Sequence, residues 1–247
     1  MKAFLAALMF LTRVPVPNIH VSSADWKKST VYFPLIGLII GALLWLAFWG
    51  LEILFMPPVS AFLIVLVWIW ITGGLHIDGW MDLADGFGSN RSREEMLEIM
   101  KDSRVGAMGV IAAICLIVGK MVAVYELVQL NLPVILVFSP WFSRFLLISA
   151  IKYWPYRSEG GLGAGLSTYL SLPVILVNLV LIGTISYWLT GVYGLLLFLI
   201  TATLTVFFIL KIYRKLKMLT GDCYGAIVEW SECLCLFLAL AIWRFAG

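Results

Sequence analysis

Long apolar runs fill most of the chain, and short polar stretches separate them. They cover residues 31–55, 58–75, 108–130, 133–152, 172–190, 191–211 and 224–243. Each approaches the roughly 20 residues an α-helix needs to cross a hydrocarbon core about 30 Å thick. The long alternating segments of a membrane barrel are missing, so helices are expected. The pattern predicts an all-α, polytopic membrane bundle of about seven transmembrane helices. Pro57, Pro58, Pro133 and Pro173 stand at the boundaries, where proline suits a helix start. The division at "TGVYG", between the fifth and sixth runs, is the least sharply marked.

Two segments break the pattern. The opening "MKAFLAALMFLTRVPVP" has Lys2 and an apolar run of signal-peptide type, but the run ends in Thr-Arg-Val-Pro rather than small cleavage-site residues. It is too short to span, so an interfacial half-helix is expected. The second segment, "TGGLHIDGWMDLADGFGSNRSREEMLEIMKDSRVGAMG", joins the second and third runs. Its residues 72–98 hold 6 of the chain's 14 acidic residues.

Composition supports the membrane reading. Apolar residues make up 62% of the 247 and charged residues 13%, against about 45–50% and about 25% in soluble domains; the mean hydropathy is +1.02. One membrane domain, residues 1–247, is expected, with an active-site loop at about 76–107. Lys and Arg supply the orientation. Lys27 and Lys28 precede the first span, and Arg91, Arg93, Lys101 and Arg104 follow the second. Lys152 and Arg157 follow the fourth, and Lys211, Arg214, Lys215 and Lys217 the sixth. The alternate loops near 56–57, 131–132 and 190–194 carry neither residue, and Arg244 is the one exception. The positive-inside rule then places the N-terminus and the acidic segment in the cytoplasm. This pattern accounts for the net charge of +3, so no nucleic-acid partner is implied. Cys115, Cys223, Cys233 and Cys235 show neither metal-ligand spacing nor a disulfide framework.

Within the acidic segment, Asp78, Asp82 and Asp85 are spaced i, i+4, i+7. That spacing puts them on one stripe of a helix. Like charges so placed repel, and an all-carboxylate set suits Mg²⁺, Mn²⁺ or Ca²⁺ better than zinc. Gly79 and Gly86 weaken a helix by roughly 1 kcal/mol each, which is reasonable where a ligand or another helix must come close. Gly73 and Gly74 fit the same role just inside the membrane. After a turn at "GFGSN", Ser92 and Glu95 form a capping box for a helix whose Met96, Leu97, Met100 and Ile99 stripe is expected on the membrane surface. "KDSRVG" then returns Asp102 and Arg104 towards the first three aspartates, and an arginine beside a metal cluster suits phosphate.

Charged residues inside the spans are costly and mark functional candidates. Lys120 and Arg144 are two such positions. Asp222, Glu229 and Glu232, spaced i, i+7, i+10 in "TGDCYGAIVEWSE", lie on one helix face and need partners. Lys120, Arg144 or a second metal would serve. His76 remains open as ligand, base or polar filler. No Walker loop, Ser-His-Asp set or zinc-protease helix is present. Carboxylates, a metal and basic residues together suit transfer of a phosphoryl-linked group from a diphosphate donor to an alcohol.

These residues carry a family resemblance. The acidic segment and "TGDCYGAIVEWSE" closely resemble the cobalamin synthase (adenosylcobinamide-GDP ribazoletransferase) family. "FLTRVPVP", "YFPLIGLIIGALL", Ser143-Arg144 and "EGGLG" at 159–163 extend the match over essentially the whole chain. The resemblance implies joining adenosylcobinamide-GDP to the 3′-hydroxyl of α-ribazole, or its 5′-phosphate, with release of GMP. It implies Mg²⁺, with Mn²⁺ as substitute, and a prokaryotic inner membrane with the site facing the cytoplasm. Asp78, Asp82, Asp85 and Asp102 would be metal ligands, with Asp82 or Asp85 as base. Arg13, Arg104, Lys120 and Arg144 would contact phosphate, and His76, Asp222 and Glu229 would contact substrate. Membrane lipid is an implied partner, and a homo-oligomer or association with other pathway enzymes is compatible. "DLADG" at 82–86 also opens like the CDP-alcohol phosphotransferase signature, but Ser89 and Asn90 replace its Ala-Arg. An intramembrane prenyltransferase and a cation-coupled transporter are the competing functions. Against the transporter, no inverted repeat is evident.

Overall fold

The computed structural model describes residues 1–156 and 163–244. Arg157 of the basic loop and residues 159–162 of "EGGLG" lie outside the described residues. The helices are α1 (Lys2–Leu11), α2 (Ser23–Ser29), α3 (Phe33–Leu54), α4 (Pro57–Thr72), α5 (Leu75–Gly88), α6 (Arg93–Ile99), α7 (Ala107–Gln129), α8 (Val134–Tyr153), α9 (Leu172–Thr190), α10 (Val192–Leu216) and α11 (Gly221–Arg244). Among the described residues no strand forms, and one isolated bridge pairs Tyr156 with Leu219. The protein is an all-α membrane bundle. Six helices are long and apolar enough to cross a bilayer, the first of them running from α2 into α3. The α4–α5 pair, bent by 91°, makes a seventh if counted as one span.

The bend has a local cause. Gly73 and Gly74 are consecutive left-handed residues, with φ of 64° and 70°. A side chain there would cost roughly 1–2 kcal/mol per residue. The glycine pair therefore turns the chain, and Gly73 also admits the close approach expected of it, from the Arg13 side chain, while Gly74 meets no neighbour. α4, at about 1.5 Å per residue, has covered most of the bilayer by then. α5 then leaves at a right angle to α4.

α8 is the central helix and buries most of its length. It packs closely against α3 because Gly41 and Gly37 remove side chains from the contact. A Cβ on Gly41 would lie 2.6 Å from the Val137 Cα, and one on Gly37 3.1 Å from the Trp141 Cα. Small residues serve this purpose in membrane helix pairs. α9 is peripheral and exposes Leu176, Val177, Val180 and Trp188, a surface suited to lipid. α1, 10 residues long, is too short to span and buries Ala3, Ala6, Ala7 and Leu11.

One expectation about the connecting helix is corrected. Ser92 and Glu95 do cap α6 reciprocally. However, Met96, Leu97 and Met100 are buried in the protein core, with Met100 packed over Gly86, and only Ile99 stays partly exposed. The stripe seals protein against protein and is unavailable to lipid.

Candidate active site

α5 and the start of α11 build the site together. Gly79 and Gly225 let their backbones meet: a Cβ on Gly79 would lie 2.6 Å from the Asp222 carbonyl oxygen, and one on Gly225 3.0 Å from that of His76. The expected stripe exists, because Asp78, Asp82 and Asp85 all lie on α5, and the crossing adds Asp222 to it. A cavity of ≈ 180 Å³ opens beside the crossing, edged by His76, Asp78 and Asp222 and walled by Phe10, Phe33 and Leu147. Tyr156 and Tyr224 also line it, stacked with ring centres 5.7 Å apart. No spacing signal foretold this pair, since it joins the segment after α8 to the start of α11.

The aspartates differ in what holds them. Asp82 is half-buried, and its carboxyl is pushed up to about 7, first by burial and then by the charges of Asp78, Asp222 and Asp85. Asp85 is committed elsewhere. Its two oxygens accept hydrogen bonds from the backbone N–H of Gly106, at 2.7 Å, and Gly109, at 2.8 Å. The carboxylate thereby caps the N-terminus of α7, where unpaired donors and the helix dipole favour an anion. A Cβ on Gly106 or Gly109 would collide with it.

Asp102 does not join the cluster either. It accepts from its own near neighbour Arg104 through Nε at 3.0 Å and Nη2 at 2.6 Å. That pairing, on the surface, holds the Asp102 carboxyl down at about 2. Among the described residues, no three His, Cys, Asp or Glu side chains stand close enough to form a metal site by themselves. Arg13 is exposed at the bend, with its backbone N–H donating to Ile71 O at 2.6 Å and its side chain lying against Gly73.

Lys120 and Arg144 are placed differently from a phosphate-contact role. Lys120 Nζ lies 2.6 Å from both Glu229 and Glu232 and 4.5 Å from the centre of the Trp68 ring. Arg144 is fully buried and pairs with Glu232 and Ser143. Two cations therefore meet two carboxylates inside the bundle, joining α7, α8 and α11. Glu229 is likewise a structural partner, away from the cavity lining. Leaving one such charge unpaired costs about 3–5 kcal/mol. The alternative that the α11 carboxylates take Lys120 and Arg144 as partners is the one the structure adopts. The shared face of α11 signalled Glu232 in this role. His76 connects this network to the cavity, with its Nδ1 3.4 Å from Arg144 Nη2.

Fold and site define an integral membrane protein whose carboxylate-edged cavity sits beside a broken helix. The chain belongs to the cobalamin-5-phosphate synthase family, whose model matches residues 3–240. It is 43% identical over 244 residues to an adenosylcobinamide-GDP ribazoletransferase of Brevibacillus brevis, covering 98% of this chain and 99% of that one. A protein of the same name from Desulfitobacterium hafniense is 37% identical, covering 98% of each chain. One from Clostridioides difficile is 34% identical, covering 99% and 100%. No solved structure matches the chain. With this membership, the protein is an enzyme of cobalamin biosynthesis, and the prenyltransferase and transporter readings fall away.

Proposed function

We propose that the chain transfers the adenosylcobinamide-phosphate group from adenosylcobinamide-GDP to the 3′-hydroxyl of α-ribazole or its 5′-phosphate. The observation that carries the proposal is the cavity where Asp78 and Asp222 meet, in a chain alignable end to end with relatives named for that reaction. The acceptor oxygen forms a bond to the cobinamide-linked phosphorus. The phosphoanhydride bond breaks, GMP leaves with the bonding pair, and the hydroxyl proton passes to a carboxylate. Asp82 suits the base, because a group titrating near 7 accepts a proton at neutral pH without holding it too tightly. Arg13, exposed at the bend with its side chain against Gly73, is assigned to meet a phosphate.

Mg²⁺, or Mn²⁺, would be held by Asp78 and Asp222 at the cavity edge, with Asp82 left as the base, while Asp85 and Asp102 are held by other partners. Mg²⁺ commonly takes one or two carboxylates and completes its shell with water and substrate phosphate, so a full protein cage is unnecessary. When bound, the ion would neutralise charge on the phosphates and leaving group. The basic loops support a cytoplasm-facing site in a prokaryotic inner membrane.

Purified protein in lipid, supplied with adenosylcobinamide-GDP, α-ribazole and Mg²⁺, is expected to release GMP. Absence of GMP from correctly folded protein would overturn the proposal.

A further inference from the structure

We infer that His76 serves the site as a fixed hydrogen-bond donor through Nε2–H, and that the buried Lys120–Glu229–Glu232–Arg144 quartet is the positioning device that holds this tautomer. The inference rests on the proposed reaction and assigns a task to the ionic network, which the reaction itself leaves without one.

The argument is one of donors and acceptors. A guanidinium has N–H donors and no acceptor, and it stays charged in proteins. Arg144 gives Nη1 to Glu232 and Ser143, and its Nη2 faces His76 Nδ1 at 3.4 Å. Only a lone pair on Nδ1 satisfies that contact, so the ring proton belongs on Nε2. An imidazolium would put two donors face to face and add a positive charge to a buried set already balanced at two cations and two carboxylates. Nε2 makes no hydrogen bond among the described residues, and His76 lines the cavity beside Asp78 and Asp222.

Glu232 orients this arrangement by holding both Arg144 and Lys120. Ser139 donates to the Glu232 carbonyl oxygen at 3.1 Å and ties α8 to α11 at the same level. The ring is therefore fixed from the membrane side, and its remaining polar atom is an N–H available to the cavity. Such a nitrogen has no lone pair for a metal or for a proton. It suits an oxygen of a phosphate or of the leaving group, where negative charge grows during transfer.

The test uses full-length protein in lipid bilayers. Replacing the exposed His20 with Gln leaves His76 as the one histidine. Solid-state nitrogen NMR of protein labelled with ¹⁵N-histidine is expected to show Nε2 protonated and Nδ1 bare at neutral pH. A protonated Nδ1 or an imidazolium would overturn the inference. Arg144→Lys, which keeps the charge and loses the fork, is expected to give a mixture of tautomers; an unchanged single tautomer would remove Arg144 from the positioning role. In turnover, His76→Ala is expected to lose roughly 10²–10³-fold in kcat, the effect of deleting one such donor. His76→Gln restores an N–H near the same place and is expected to stay within about 10-fold of the parent. Equal losses in the two variants would mark His76 as a base or ligand and overturn the donor role. The spectrum needs no substrate, so a parent protein that releases no GMP would sink the proposed reaction and leave the tautomer result standing.

Discussion

At Asp82, burial and the charges of Asp78, Asp222 and Asp85 all act in one direction, raising its carboxyl to about 7. The fold thus binds a proton here that the unfolded chain releases near its ordinary value of 3.8. Stability from this group is fully present below about 3.8, where both states hold the proton, and is lost progressively as pH rises to about 7, where the carboxylate ionises among like charges. Asp82→Asn is therefore expected to raise the unfolding temperature most at pH 8, measured without divalent cations, with the gain shrinking as pH falls towards about 4. The same variant is expected to lose at least about 10²-fold in kcat, as removal of a general base does. Near-normal turnover would take Asp82 out of the site. Asp85, one turn further along α5, shows why a stripe is not yet a site. Its helical register was legible, but its partners are the amides of Gly106 and Gly109 on another helix, and no local spacing encodes them.

At the scale of the helices, the crossing of α5 over α11 decides where the carboxylates stand. A Cβ on Gly79 would press on Asp222 backbone, which has no flexible end to yield. Gly79→Ala is expected to move α5 away from α11 and lower kcat by more than about 10-fold, since a shift of about 1 Å in a catalytic group can cost 10²-fold. Circular dichroism of the variant should show unchanged helix content. Gly50→Ala is the matched control, because nothing lies within 4 Å of the added carbon and alanine is the better helix former by about 1 kcal/mol. Equal activity in the two variants would mean that the crossing does not set the site. The glycines of α5 were legible as places of close approach. Which neighbour arrives at each was not, since Gly79 meets α11 while Gly86 meets α6.

For the whole molecule, the basic loops predict that α6 and the α5 aspartates face the cytoplasm. With the four native cysteines replaced, Glu94→Cys on α6 is expected to resist an impermeant thiol reagent in intact cells. Leu130→Cys, exposed at the opposite end of α7, is expected to label rapidly. The reverse pattern would invert the orientation.

The long apolar runs by themselves located six spans to within a few residues, because a bilayer demands about 20 apolar residues and satisfied backbone groups whatever the neighbours are. The break that ends α4 at Thr72, inside the expected 58–75 run, was not marked. Residue spacing also determined the acidic stripe of α5 and the shared face of Asp222, Glu229 and Glu232, since the 3.6-residue turn sets those alignments locally. Only the tertiary structure decided which charges face the cavity and which neutralise one another within the bundle. Lys120 and Arg144 look alike in sequence to any phosphate-binding cation. Their task follows from Glu229 and Glu232, roughly a hundred residues away, and a buried charge takes whichever partner packing brings within reach.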